Sequence, residues 1–237
     1  MTAMSPTRPR RQNLAEGIYQ TIKDDVLSFR LLPGDWFSEG AVAERLAVSR
    51  TPVRQALHRL EREGYLQLHF RSGWQVRTLD MQVFEELYEV RIVLEQEALR
   101  RLCTRAETKV PALLQALLDI WLVPAEQQIS DGPTVAGLDE RFHCQLVAAA
   151  GNQQMTQMHA QISERIRILR RLDFTQQPRI DLTYAEHGQI LQAVLERDWP
   201  RAQALLEGHI QASKAQVRTI TLHGLQSARA TAASACA

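Results

Sequence analysis

Residues 48–60, Val-Ser-Arg-Thr-Pro-Val-Arg-Gln-Ala-Leu-His-Arg-Leu, constrain this chain more than any other stretch. At roughly 100° per residue, Val53, Ala56, Leu57 and Leu60 fall on one face of a helix, and Arg50, Thr51, Arg54, Gln55 and His58 spread over the other. One side of such a helix is built to be buried and the other to meet a polyanion. Ser49 or Thr51 can cap its start, and Pro52 is tolerated in a first turn whose N–H groups lack intrahelical partners anyway. Alone, a basic amphipathic helix is equally well a solvated surface helix, so its neighbours decide.

Upstream, Leu14, Ile18, Ile22 and Val26 recur every fourth residue beside Tyr19, giving a first helix that ends before Leu32-Pro33-Gly34. Ser38 caps a short second helix with Val42, Ala43 and Leu46 on its buried side, and Ala47-Val48 turns into the helix above. Downstream of Glu63-Gly64, Leu66, Leu68 and Phe70 alternate with polar residues; after Arg71-Ser72-Gly73 comes Trp74-Gln-Val76, the pattern of a β-hairpin wing. Residues 14–78 are thus expected to form a winged helix-turn-helix with double-stranded DNA as its partner. Ser49, Arg50, Thr51, Arg54 and Arg71 are the candidate DNA contacts, the arginines for guanine edges or phosphates and the hydroxyls for phosphates.

Charge follows the same division. Residues 1–78 hold 12 of the 28 Lys/Arg against 8 of the 27 Asp/Glu, leaving 16 against 19 for the rest, so the basic end lies where DNA would sit. Residues 1–13 carry Arg8, Arg10 and Arg11 without an apolar run and are expected to be a disordered basic arm, neither signal peptide nor anchor. Residues 223–237, rich in alanine and serine, are expected to be a disordered tail. No apolar stretch is long enough for a membrane span, and Cys103, Cys144 and Cys236 are too scattered for a disulfide framework, so a cytoplasmic location is expected.

Residues 79–222 show repeated helical periodicity and no alternating strand, which predicts a mainly α protein whose second domain is an all-helical bundle of about six helices, near 80–103, 106–129, 134–150, 152–172, 179–197 and 199–220. Pro124 should kink the second of these or end it early. Asp139 and His143 lie one turn apart among Leu146, Val147 and Ala150; His187 falls among Ile190, Leu191 and Val194, and His209 among Ala202, Leu205 and Ala212. Each alone reads as a hydrogen-bonded core residue. Together they make a plausible divalent-metal site, because facing helices are where bundles build such sites. Arg91 lies in the apolar arc of Phe84, Leu87, Leu94 and Ala98, where a guanidinium needs an anionic partner: Glu95 one turn on, or the carboxylate of a bound effector. Of Arg165, Arg167, Arg170 and Arg171, Arg165 lies at the edge of the Met158, Ile162, Leu169 stripe and is a second effector candidate, with the other three assigned to the surface; His159 is assigned to the core or to a place behind the metal ligands.

These residues also carry a resemblance. Leu32-Pro-Gly, Ser49-Arg-Thr-Pro-Val-Arg-Gln-Ala-Leu57 and Leu60-Glu-Arg-Glu-Gly-Tyr-Leu66 resemble the winged helix-turn-helix of the GntR superfamily of bacterial transcription regulators. Gly40 stands where several relatives have a DNA-contacting arginine, so no contact is carried onto it. Asp139-Glu-Arg-Phe-His143, Glu186-His187-Gly-Gln-Ile190 and Asp198 with His209-Ile210 resemble the helical FCD ligand domain of the FadR subgroup; Gly188 and Trp199-Pro200 are minor departures. The resemblance spans about Leu14 to Leu222. It implies that Asp139, His143, His187 and His209 hold zinc, or nickel or another transition metal, and that Arg91 lines an effector cavity. It further implies a homodimeric regulator, expected to be a repressor, whose operator affinity a small carboxylate controls. The competing readings are a direct metal sensor, a metal-dependent enzyme and a regulator with a long-chain acyl ligand.

Overall fold

The computed structural model describes residues 9–106, 111–174 and 177–219, which divide into two compact units, one ending at Leu79 and one beginning at Asp80. The first unit contains α1 (Pro9–Leu27), β1 (Trp36–Phe37), α2 (Glu39–Arg45), α3 (Arg50–Arg62), β2 (Leu66–His69) and β3 (Gly73–Val76). Helix α1 packs on α3, with Ile18, Ile22 and Val26 buried on one and Val53, Ala56, Leu57 and Leu60 on the other. A fully buried aliphatic side chain of this kind stabilises the fold by about 1.5–3 kcal/mol. A polar seam closes the same contact: the Tyr19 hydroxyl donates to Glu63 Oε2 at 2.7 Å, and the Arg59 guanidinium lies 3.6 Å from the Tyr19 ring centroid.

Ser38 caps α2 by accepting from the Ala41 N–H, and Ala47 takes a positive φ of 52° in the turn to α3. The wing is a three-stranded antiparallel sheet in the order β1-β3-β2, with Leu68 opposite Trp74 and Trp36 opposite Gln75. Gly73 is required there: at φ 99° a Cβ would stand 2.8 Å from the Phe37 carbonyl oxygen. Two differences from the sequence reading stand out. Helix α1 starts at Pro9, so residues 9–13 are helical and not an arm, a start compatible with proline in a first turn; residues 1–8 and the tail 223–237 lie outside the described residues. Strand β1 has only two residues, too few to show alternation.

The second unit contains α4 (Met81–Thr104), α5 (Ala112–Trp121), α6 (Gly132–Ala149), α7 (Gln153–Asp173), α8 (Gln177–Leu195) and α9 (Trp199–Arg218). Asp80 and Asp131 cap α4 and α6, and the Asn152 side chain accepts from the Gln154 and Met155 N–H groups at the start of α7. Helix α5 starts at Ala112, after Pro111, and ends at Trp121 instead of the expected 129, because Pro124 bars the helical conformation at Val123 and removes a donor; a single 3₁₀ turn, Ala125–Gln127, follows it. Helix α6 packs on α4, α5, α7 and α8, and α9 packs on α4, α7 and α8. Leu99, Leu117, Leu146, Ile166, Leu191, Leu206 and Ile210 are buried among these helices, and they enclose a group of equally buried polar side chains.

Candidate metal centre and nucleic-acid interface

Asp139 and His143 project from α6 one turn apart, His187 from α8 and His209 from α9, and all four are buried. One ligand atom from each lies within 4.8 Å of the others. His143 Nε2 and His209 Nε2 are 3.2 Å apart, His187 Nε2 and His209 Nε2 3.3 Å, and Asp139 Oδ1 lies 3.6, 3.3 and 3.9 Å from the Nε2 atoms of His143, His187 and His209. Nitrogens bound to zinc at about 2.0–2.1 Å in a tetrahedron stand roughly 3.3 Å apart, so the spacing is that of a coordination shell.

The outer nitrogens show why these contacts are not ordinary hydrogen bonds. His143 Nδ1 sits 2.6 Å from Glu95 Oε2, and His209 Nδ1 sits 2.6 Å from Glu186 Oε2. Each carboxylate needs a donor, which places the imidazole proton on Nδ1 and leaves Nε2 as a bare lone pair. Two lone pairs facing each other at 3.2 Å repel unless a cation lies between them. His187 has no such partner: its Nδ1 is buried without a hydrogen bond, and its ring is stacked 3.7 Å from that of Phe142.

Charge favours the same occupant. Burial holds His187 well below its ordinary pKa and pushes His209 down to about 4 despite the Glu186 carboxylate, so both offer lone pairs at neutral pH. Burial alone would raise Asp139, but the Arg170 guanidinium beside it holds it well below the usual carboxylate range. Glu95 is also ionised against burial, held by Arg91 and His143. The donor set, three imidazoles and one carboxylate, fits zinc, nickel or a similar ion.

Arg91 is buried and takes the protein partner the sequence offered it, donating from Nε to Glu95 Oε1 at 2.6 Å; Glu95 also takes His159 Nε2 at 2.8 Å. Arg91 therefore anchors the carboxylate that orients His143. Arg165 corrects the sequence reading. It is exposed, whereas Arg170, assigned to the surface, is buried with Nε 3.2 Å from Asp139 Oδ2. Of the expected α7 stripe of Met158, Ile162 and Leu169, the latter two are buried but Met158 is 55% exposed. The buried face instead runs through His159, Ile162, Ser163, Ile166 and Arg170, about one position further on. Both terminal nitrogens of Arg170 are buried without a hydrogen-bond partner. A guanidinium left in that condition is costly and calls for an anion. Glu186, quoted in the sequence only as part of a motif, is the other carboxylate at the cluster, and Arg179 Nη1 lies 3.0 Å from it.

On the first unit, Ser49, Arg50, Thr51, Arg54, Gln55 and His58 are exposed along the start and outer face of α3, opposite the buried stripe. Ser49 occupies the N-cap with no side-chain capping bond. Arg54 is folded onto Glu39 at the start of α2: Nε lies 3.0 Å from both carboxylate oxygens and Nη2 2.8 Å from Oε2. Arg71 is exposed at the wing tip with φ 65°, its guanidinium 5.1 Å from the ring centroid of Phe70.

Comparison with known proteins agrees with this division. Residues 14–76 match the family of bacterial regulatory proteins named gntR, and residues 86–212 match the FCD domain. The chain is 36% identical over 186 residues to the Nta operon transcriptional regulator of Aminobacter aminovorans, covering 78% of this chain and 85% of that protein. It is 26% identical over 220 residues to the HTH-type transcriptional repressor RspR of Escherichia coli, covering 92% and 93%. The crystal structure of a putative GntR transcriptional regulator from Rhodococcus sp. RHA1 shares the fold with a TM-score of 0.70 at 19% identity, over 87% of this chain and 98% of that one.

Proposed function

Because this chain belongs to the GntR family and is a transcriptional regulator with an FCD domain, we propose that a small organic acid, bound at a metal ion in the helical unit, sets its affinity for operator DNA. Asp139, His143, His187 and His209 are the proposed ligands of the ion, zinc first and nickel or another transition metal second. The ion supplies a Lewis-acidic centre for a carboxylate oxygen. Glu95 and Glu186 hold two of the imidazoles in the ligating tautomer. Arg170 is the proposed counter-charge for the acid, in place of Arg91, which Glu95 engages, and of Arg165, which faces solvent.

The observation that carries the reading is the convergence of three imidazole nitrogens on Asp139, whose other oxygen meets Arg170 Nε while both terminal Arg170 amino groups are left unpartnered. An anion bound at the ion would find in the Arg170 fork the counter-charge that a planar guanidinium supplies. The proposed output is a change in the relative placement of two DNA-binding heads of a homodimer, because packed helices have discrete arrangements and a ligand favours the one it binds better. Ser49, Arg50, Thr51, Arg54 and Arg71 are the proposed operator contacts, in the cytoplasm. A repressor is the proposed sense of regulation, as the name of the Escherichia coli relative states for that protein.

The test is a thermal-shift and operator-binding series on the full chain, chelated and then reloaded with zinc or nickel, against mono-, di- and hydroxy-carboxylates. At least one acid class should raise the melting temperature of the loaded chain and change its DNA affinity, with both effects lost in the chelated chain and in Arg170→Gln. If no acid shifts the loaded chain, the organic-acid reading fails; if metal alone then changes DNA affinity, the ion itself is the signal.

A further inference from the structure

Arg54 does not stand free on α3, and the manner of its pairing is informative. Glu39 grips the side edge of the guanidinium, the edge formed by Nε and Nη2. Guanidinium is planar with five N–H groups, so a carboxylate on this edge leaves the end-on edge, the outer N–H groups of Nη1 and Nη2, open. That remaining pair is the fork that bonds O6 and N7 of a guanine. The Glu39 carboxylate is itself pinned from two sides. It belongs to the first turn of α2, where negative charge is favoured and where the Ser38 cap fixes the backbone. It also accepts a hydrogen bond from the side chain of Trp74, which is buried in β3. Its link to Arg54 lowers the Glu39 pKa and keeps the carboxylate charged.

We propose that Glu39 is a specificity-determining positioning residue: tied to α2 and to the Trp74 side chain in the wing, it sets the plane of the Arg54 guanidinium so that its outer fork reads one guanine of the operator. The proposal rests on the reading of Arg54 as a base contact. An arginine without a buttress sweeps many rotamers and bonds phosphates and bases alike; held in one plane by a fixed carboxylate, it loses that freedom before DNA arrives and keeps only the end-on geometry. A carboxylate near a phosphate backbone lowers general affinity, and the return is discrimination at one base pair.

The experiment is selection from a randomised duplex pool by the full-length protein, compared among wild type, Arg54→Ala, Glu39→Gln and Glu39→Ala, each first checked by thermal melting. Wild type should enrich a motif with one guanine that Arg54→Ala no longer prefers. Glu39→Ala should lose the preference at that same position and no other, with a roughly five- to hundredfold fall in discrimination there, and Glu39→Gln should fall part of the way. General affinity should stay the same or rise in both Glu39 variants. If Arg54→Ala relaxes that position and Glu39→Ala does not, the buttress is overturned while the Arg54 reading stands. If Arg54→Ala leaves the motif unchanged, or no motif is enriched, both fall. A Glu39→Ala variant that loses preference at every position, or that melts early, shows that Glu39 holds the helix and not the arginine, and overturns the proposal.

Discussion

The two charged regions of this molecule solve opposite problems. On the outer face of α3, the proposed reading face, the polar groups are exposed, and the pairs they make, Arg54 with Glu39 and His58 with Glu61, are exchangeable with water or with another anion. In the helical unit Arg91, Glu95, Asp139, His143, His159, Arg170, His187 and His209 are all buried, and each contact replaces a hydration shell that cannot return. The first region waits for an outside partner at little cost to the fold. The second is part of the fold, and a group it leaves unpaired, such as the end of Arg170, marks a place where something is missing.

That contrast is broken most forcefully at Glu95. It compensates Arg91 and meets His143 and His159, with no exposure of its own. Glu95→Ala leaves a buried guanidinium uncompensated and is expected to cost about 3–5 kcal/mol, measured by urea unfolding. A cost below about 1 kcal/mol would mean that water reaches this cluster and that it resembles the reading face. Glu186→Gln removes the charge from a half-buried carboxylate that orients His209. It should lower metal affinity by about 10–100-fold, read by competition with a colorimetric chelator, while the fold survives. Unchanged affinity would leave Glu186 no part in holding the imidazole.

The two regions were also unequally legible. The buried and exposed faces of α3 are legible from periodicity, since Val53, Ala56, Leu57 and Leu60 lie within one helix and their spacing alone sorts inside from outside. Asp139 and His143 could be paired for the same reason, and the likeness of the His187 and His209 segments to a known domain supplied the rest. Arg170 and Arg165 were exchanged because a helix wheel is only as good as the stripe that centres it, and the exposed Met158 displaced the stripe on α7. The grip of Glu39 on Arg54 joins residues fifteen apart across a turn, and nothing in a wheel of either helix predicts it.

The histidines make the pH behaviour of the metal-free chain diagnostic. His209 titrates at about 4 in the folded chain and near 6.5 when unfolded, and His187 is depressed in the same direction. Between those values the unfolded state binds more protons, so stability falls as pH drops from about 6.5 toward 4. His209 alone should remove on the order of 2 kcal/mol by pH 5, as measured by urea melts at pH 7 and pH 5 after chelation. His159 is shifted the other way, so the stability it contributes is complete below about pH 6.5 and is lost as pH rises through its raised pKa; it changes little between 6.5 and 5, where the His209 loss falls. Equal stability at the two pH values would mean that the cluster admits solvent and protons freely.

The smallest effect on the fold is expected from Arg54, the proposed base contact. Arg54→Ala removes a side chain that is 62% exposed and whose partner, Glu39, keeps its own anchors at the α2 start and at Trp74. The melting temperature should therefore stay within error of wild type, while operator binding weakens about fivefold or more, measured by fluorescence anisotropy at one stated salt concentration. The comparison with Glu95→Ala is then complete: one substitution removes stability from a network that faces inward, and the other removes affinity from a face whose stability never depended on it. A fall in melting temperature without loss of DNA binding would reverse the assignment and make the Arg54–Glu39 pair a strut between α2 and α3.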